Sequence, residues 1–224
     1  MKPSDHKKKK TAPQRGFSLI ELMASLAILT IVVGVLTDGI MQIQKKSASD
    51  VNKVGVAQES RQFMDQILRD LRQAGYPGLA LFDSATGATS SSTFVANGLI
   101  SFSSTAIQFE GDIDGGGVSE VYIQVVVPGS GSCPCTLQRG TTSKANYLSG
   151  GTPQYYTELD GLMSQNVFTA YKYDGTAYNS STDSLSNIKN IGLTLYVRSP
   201  HADTSYSSTV YPTTTMVSEA RINN

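Results

Sequence analysis

Three stretches of this chain carry residue types and spacings that could do chemistry. The first is a single carboxylate, Glu21, inside an apolar run: Phe17–Ile20 precede it, and Leu22–Thr37 follow with no charge over 16 residues. An ionisable group in such surroundings costs several kcal/mol and normally has a partner. The second is Asp112-Ile-Asp-Gly-Gly-Gly117, whose aspartates alternate as oxygen ligands do in a calcium loop. Counting from Asp112, Asp114 is third, Gly117 sixth and Glu120 ninth, but the twelfth position is Ile123 in place of a bidentate glutamate. Asp112, Asp114 and Glu120 are therefore a calcium candidate, set against a glycine-rich hairpin turn whose aspartates accept from nearby backbone amides.

The third stretch is Cys133-Pro134-Cys135. Two thiolates are too few for a structural zinc site, and a thioredoxin-like motif needs two residues between the cysteines. Two free thiols or a tight, local, loop-pinning disulfide remain. An enzyme has little to stand on: His201 is the one histidine beyond the N-terminal segment, and no phosphate loop or nucleophile elbow occurs. No catalytic residue and no cofactor other than the candidate calcium is expected.

The elements that must position these residues are legible in the pattern. Residues 1–16 are short, polar and basic, with Lys7–Lys10 as a cationic block, and Phe17–Thr37 supply about the 20 residues that cross ~30 Å of hydrocarbon. The basic flank places the N-terminus in the cytoplasm and everything beyond about residue 45 outside the inner membrane. A secretory signal peptide has the same order, yet the run ends in Thr37-Asp-Gly-Ile-Met-Gln, with no small-x-small cleavage site. No proline interrupts residues 14–76, so the span continues as a helix. Its second half becomes amphipathic, with Val54, Ala57, Met64, Ile67, Leu68, Leu71 and Ala74 on the apolar side. Gly75-Tyr-Pro-Gly78 then stops it, giving an expected helix Phe17–Ala74 of roughly 87 Å.

After a polar loop over residues 79–98, seven β-like runs follow: 99–102, 106–110, 119–127, 136–139, 167–173, 190–198 and 213–222. One long helix followed by strands predicts an α+β fold, an antiparallel sheet laid on the second half of the helix. The formal net charge is zero, but six of 18 basic residues precede Gly16; the remainder holds 12 basic and 17 acidic residues. That acidic balance argues against nucleic acid as a partner.

Arg15-Gly-Phe-Ser-Leu-Ile-Glu-Leu-Met resembles the N-terminal signature of the type IV prepilin family: a basic leader ending in Gly16, then Phe17, with Glu21 fifth from the junction. The resemblance implies cleavage between Gly16 and Phe17 by a prepilin peptidase and N-methylation of Phe17. It implies a pilin-like fold and three segments: a leader over 1–16, an apolar transmembrane and filament-core helix over 17–45, and a head over 46–224. In that setting Glu21 would meet the Phe17 amine of a neighbouring subunit, because a buried charge requires an opposite one. Expected partners are the peptidase, other major and minor pilins or pseudopilins, an inner-membrane assembly platform and membrane lipid.

Softer matches narrow the resemblance. Arg69-Asp-Leu-Arg-Gln-Ala-Gly-Tyr-Pro-Gly78, Ile107-Gln-Phe-Glu-Gly-Asp-Ile-Asp-Gly115, Ile191–Ser199 and Ser218–Asn224 resemble PilW-type minor pilins and J-type pseudopilins of type II secretion. The implied function is a minor type IV pilin that helps initiate or cap a pilus, with a J-type pseudopilin as the alternative. A ligand-binding or adhesive surface protein on the same stalk is the reading from a different class.

Overall fold

The fold is described from a computed structural model, covering Gly16, residues 18–203 and residues 210–222. Phe17 lies outside the described residues. The chain divides into two compact units, the first ending at Lys45 and the second beginning at Lys46. The long helix α1, Leu19–Gln73, contributes to both.

Helix α1 starts where the Ser18 carbonyl accepts from the amides of Glu21 and Leu22, and it is unbroken through Gly34 and Gly39. In the first unit every described residue is exposed, including the large apolar side chains. Its hydroxyls are satisfied inside the helix: Ser25 Oγ donates to Leu22 O, Thr30 Oγ1 to Ala27 O and Thr37 Oγ1 to Val33 O, at 2.7–2.9 Å. Back-bonding of this kind removes the cost of an unpaired hydroxyl in an apolar surround.

In the second unit α1 buries one face, built on Val56, Ser60, Phe63, Ile67, Leu71 and, just past the helix end, Ala74. The three- and four-residue steps are those of a helix. This is a correction to the expected stripe: Val54 is exposed and Ala57 only half-buried. Val54 is apolar but lies off the stripe, whereas the buried face runs through polar Ser60 and also takes in Asp70. The helix ends one residue before the expected Ala74. Gly75 adopts φ 79°, a left-handed conformation that a side chain disfavours, and its amide donates to Glu110 O.

Among the described residues the second unit holds eight strands: β1 Leu99–Phe102, β2 Ala106–Gly111, β3 Ser119–Val126, β4 Cys135–Ser143, β5 Gln154–Leu162, β6 Phe168–Lys172, β7 Ile188–Arg198 and β8 Thr213–Arg221. All pairings are antiparallel, in the order β1-β2-β3-β4-β5-β7-β6, with β8 also paired to β7. The α+β expectation is therefore met. Strand β5 and the short helix α2, Lys144–Leu148, were not anticipated. Asp160-Gly161 lies inside β5. Gly161 sits at φ 77° with Arg198 O only 2.5 Å from where a Cβ would be, so the strand passes where no side chain fits.

Alternation divides the first strands into two faces. Ile107, Phe109, Val121, Ile123 and Leu137 join the core that includes the buried stripe of α1. The intervening residues, Gln108, Glu110, Glu120 and Tyr122, lie on the other face. The connection over residues 79–98, expected to be a polar loop, contains two 3-10 turns, Leu79–Leu81 and Ser84–Thr86, and its residues Val95 and Ala96 are buried.

Candidate functional site

The chemistry-bearing residues fall into separate places. Gly16 is exposed, with nothing within 4 Å of a would-be Cβ. Glu21 lies in the first turn of α1, where the positive end of the helix dipole favours a carboxylate. It is exposed, and among the described residues it has no ion-pair partner in its own chain. Helix α1 is long and apolar enough at its N-terminal end to cross a membrane, and none of that apolar window is buried.

The aspartates of 112–117 are used locally. Asp112 Oδ1 accepts from the Gly117 amide at 3.2 Å and Asp114 Oδ1 from the Gly116 amide at 3.0 Å, which closes the turn between β2 and β3. Glu120 is not brought to them: it is fully buried on β3, directly across the ladder from Glu110. Among the described residues no group of three histidine, cysteine, aspartate or glutamate side chains converges as a metal site would. Asp112 and Asp114 share one turn, but the strand geometry sends the third carboxylate, Glu120, into the sheet.

Cys133 and Cys135 form a disulfide, with Cα atoms 4.4 Å apart. Of the two sequence alternatives, the structure has the local bridge. It closes the chain just where β4 starts, and Cys135 belongs to the core. A loop this short removes little denatured-state entropy, so its role is to shape the strand entry more than to staple distant parts.

The head also contains two charged clusters that the sequence did not reveal. Asp70 on α1 receives Arg139 of β4, with Nε at 3.0 Å and a terminal guanidinium nitrogen at 2.8 Å from the same Oδ2. Burial pushes the Asp70 carboxyl up, and the adjacent guanidinium opposes that shift. The second cluster lies on the opposite face of the sheet. Lys144, at the first position of α2, is 1 % exposed and donates to Glu110 Oε2, Ser90 O and Val95 O at 2.7–2.8 Å. Glu110 Oε2 also accepts the Asn97 amide at 2.7 Å.

Glu120 Oε2 accepts from Gln108 Nε2, which also donates to Tyr122 Oη, while Glu120 Oε1 has no hydrogen-bond donor. Burial, then the neighbouring Glu110, pushes Glu120 up to about 7, while Gln108 and Lys144 pull it down. Burial and the Glu120 charge push the Tyr122 hydroxyl up as well. The only sequence signal for this cluster was the alternation in Ile107-Gln-Phe-Glu, which marks Glu110 as facing away from the core but not as buried.

Comparison with known proteins bears on the N-terminal end alone. Residues 11–37 match the family model described as the prokaryotic N-terminal methylation motif. No curated protein and no solved structure matches the chain. The matched motif takes in Gly16, Glu21 and the apolar start of α1, and in this chain that helix leads into an α+β head.

Proposed function

We propose that this protein is a minor type IV pilin, a structural subunit that helps initiate or cap a pilus. The observation that carries this reading is Glu21: a carboxylate in the first turn of an exposed apolar helix, without a counter-charge among the described residues of its own chain. Cleavage between Gly16 and Phe17 creates an α-amino group at the helix start, and N-methylation leaves it cationic. In a bundle of such helices, the amine of one subunit meets Glu21 of another when the axial stagger is right. A wrong stagger leaves two charges unpaired in an apolar medium, so the pair selects register.

Before assembly the helix anchors the subunit in the inner membrane, with its basic leader in the cytoplasm and its head outside. A minor role over that of the abundant subunit is supported by the position of the disulfide. It spans Cys133–Cys135 in mid-chain, whereas an abundant pilin is expected to close a loop near its C-terminus.

The test is the Glu21→Ala variant of the full chain, expressed with its peptidase and companion subunits. N-terminal sequencing should find both wild type and variant starting at Phe17, and sheared filaments should contain the wild type but little of the variant. Equal incorporation of the variant would sink the charge-pairing account. Loss from a secretion pseudopilus instead of a pilus would reassign the protein as a J-type pseudopilin.

A further inference from the structure

We propose that the buried Glu110–Glu120–Lys144 cluster is a proton-operated latch, which holds the 79–98 connection against the sheet and loosens it as pH rises through neutrality. The geometry sets up a charge imbalance. Glu110 and Glu120 face each other across β2 and β3, both almost fully buried, with one cation between the strands and the connection. That cation is fully committed: the three protons of Lys144 go to Glu110 Oε2, Ser90 O and Val95 O. Nothing is left for Glu120, whose Oε1 meets no donor. Two carboxylates and one ammonium away from water are balanced when one carboxyl keeps its proton, and that proton can be shared between the facing carboxyls.

The same atoms hold the connection. Ser90 O and Val95 O are its anchors on Lys144, and the Asn97 amide is its anchor on Glu110. Two backbone ties lie nearby: the Ala96 amide donates to Pro77 O and the Glu110 amide to Gly98 O, both at 2.8 Å. Deprotonating Glu120 places a second negative charge directly across the ladder from Glu110, the carboxylate that with Lys144 holds the connection, so hydrating the charged pair competes with that hold. The groups facing Glu120 from each packed element are Glu110 and Gln108 on β2, Tyr122 on β3 and Lys144 on α2. Glu120 exchanges its proton near neutral pH, whereas the Tyr122 hydroxyl is pushed further up. The surface that the latch controls is apolar: Leu79, Leu81 and Phe94, all on this connection, are 45–63 % exposed.

The test is amide hydrogen exchange on the full chain in detergent micelles at pH 6 and pH 8, corrected for intrinsic rates. The latch gives the Ala96 and Asn97 amides lower protection than the Leu193 and Leu195 amides of β7. It also gives an opening equilibrium that rises about tenfold between the two pH values, the linkage expected for a carboxyl that ionises near 7 when closed and at its ordinary value when open. In Glu120→Gln the tenfold rise should vanish. A wild-type connection with no rise, a rise of equal size in Glu120→Gln, or protection equal to that of β7 at both pH values would each overturn the latch. The wild-type measurement decides by itself if the variant does not fold.

Discussion

The two parts of α1 treat their side chains in opposite ways. From Leu22 to Leu36 the helix is almost wholly apolar and every described residue up to Lys45 is exposed, while between Lys46 and Gln73 it is more polar and buries a continuous face. Hydrophobicity alone would rank the first part as the better core. The difference is that its apolar surface runs all the way round, which no single sheet can cover, and so it calls for a surround outside the chain such as lipid or like helices. The second part confines its apolar residues to a stripe, and one sheet face is enough. Polar groups follow the same division. Ser25, Thr30 and Thr37 bond to their own helix, whereas Asp70 depends on Arg139, 69 residues away.

This contrast can be broken most sharply in the second part. Phe63→Ala should cost about 3–5 kcal/mol in denaturant unfolding of the detergent-solubilised chain, because it opens a cavity in a close-packed core. The matched change Leu29→Ala should leave that transition where it was, and a comparable loss from both would erase the distinction. Arg139→Ala should cost about 3 kcal/mol by stranding buried Asp70, and Asp70→Leu with Arg139→Met should recover most of it. If the double variant is no better than the single one, the cost belongs to packing and not to a stranded charge.

A smaller effect is expected from pH. Glu120 is raised from 4.5 to about 7 in the folded head, so the folded state holds a proton that the unfolded state releases first. Stability from this group is complete below about pH 4.5, declines as pH rises towards 7 and is flat above, by on the order of 2–3 kcal/mol. Unfolding midpoints across that window should fall in the wild type and stay nearly level in Glu120→Gln. Smallest of all, Thr30→Val should shift neither head stability nor membrane association by more than about 0.5 kcal/mol, because its hydroxyl bonds only to Ala27 O of the same helix. A large loss would show that Thr30 serves a neighbour.

Much of the fold is written locally. The absence of proline over residues 14–76 and the glycine at 75 bound α1 to within two residues, and strands β1, β2 and β3 begin where the expected β-like runs begin, at Leu99, Ala106 and Ser119. Local patterns failed where a partner far along the chain decides. Leu159 and Leu162 of β5 are buried, but Tyr155 and Tyr156 are exposed and Gly161 interrupts the run, so neither alternation nor a continuous apolar stretch shows. The Asp112–Glu120 spacing looked like a ligand set because counting along a chain does not say which residues enter a sheet.

Sequence by itself determined the apolar helix, the carboxylate near its start, the processing motif and the helix-then-sheet order, since each rests on near-neighbour periodicity or on a contiguous motif. Tertiary structure alone decided that Asp70 and Arg139 pair, that Lys144 joins Glu110 to the 79–98 connection, and that Glu120 is left without a cation. The physical reason is the same in each case. The energy of a buried charge is set by which opposite charge or dipole lies within about 3 Å, and the residues that meet at that distance are brought together by strand register and helix docking, not by their places in the chain.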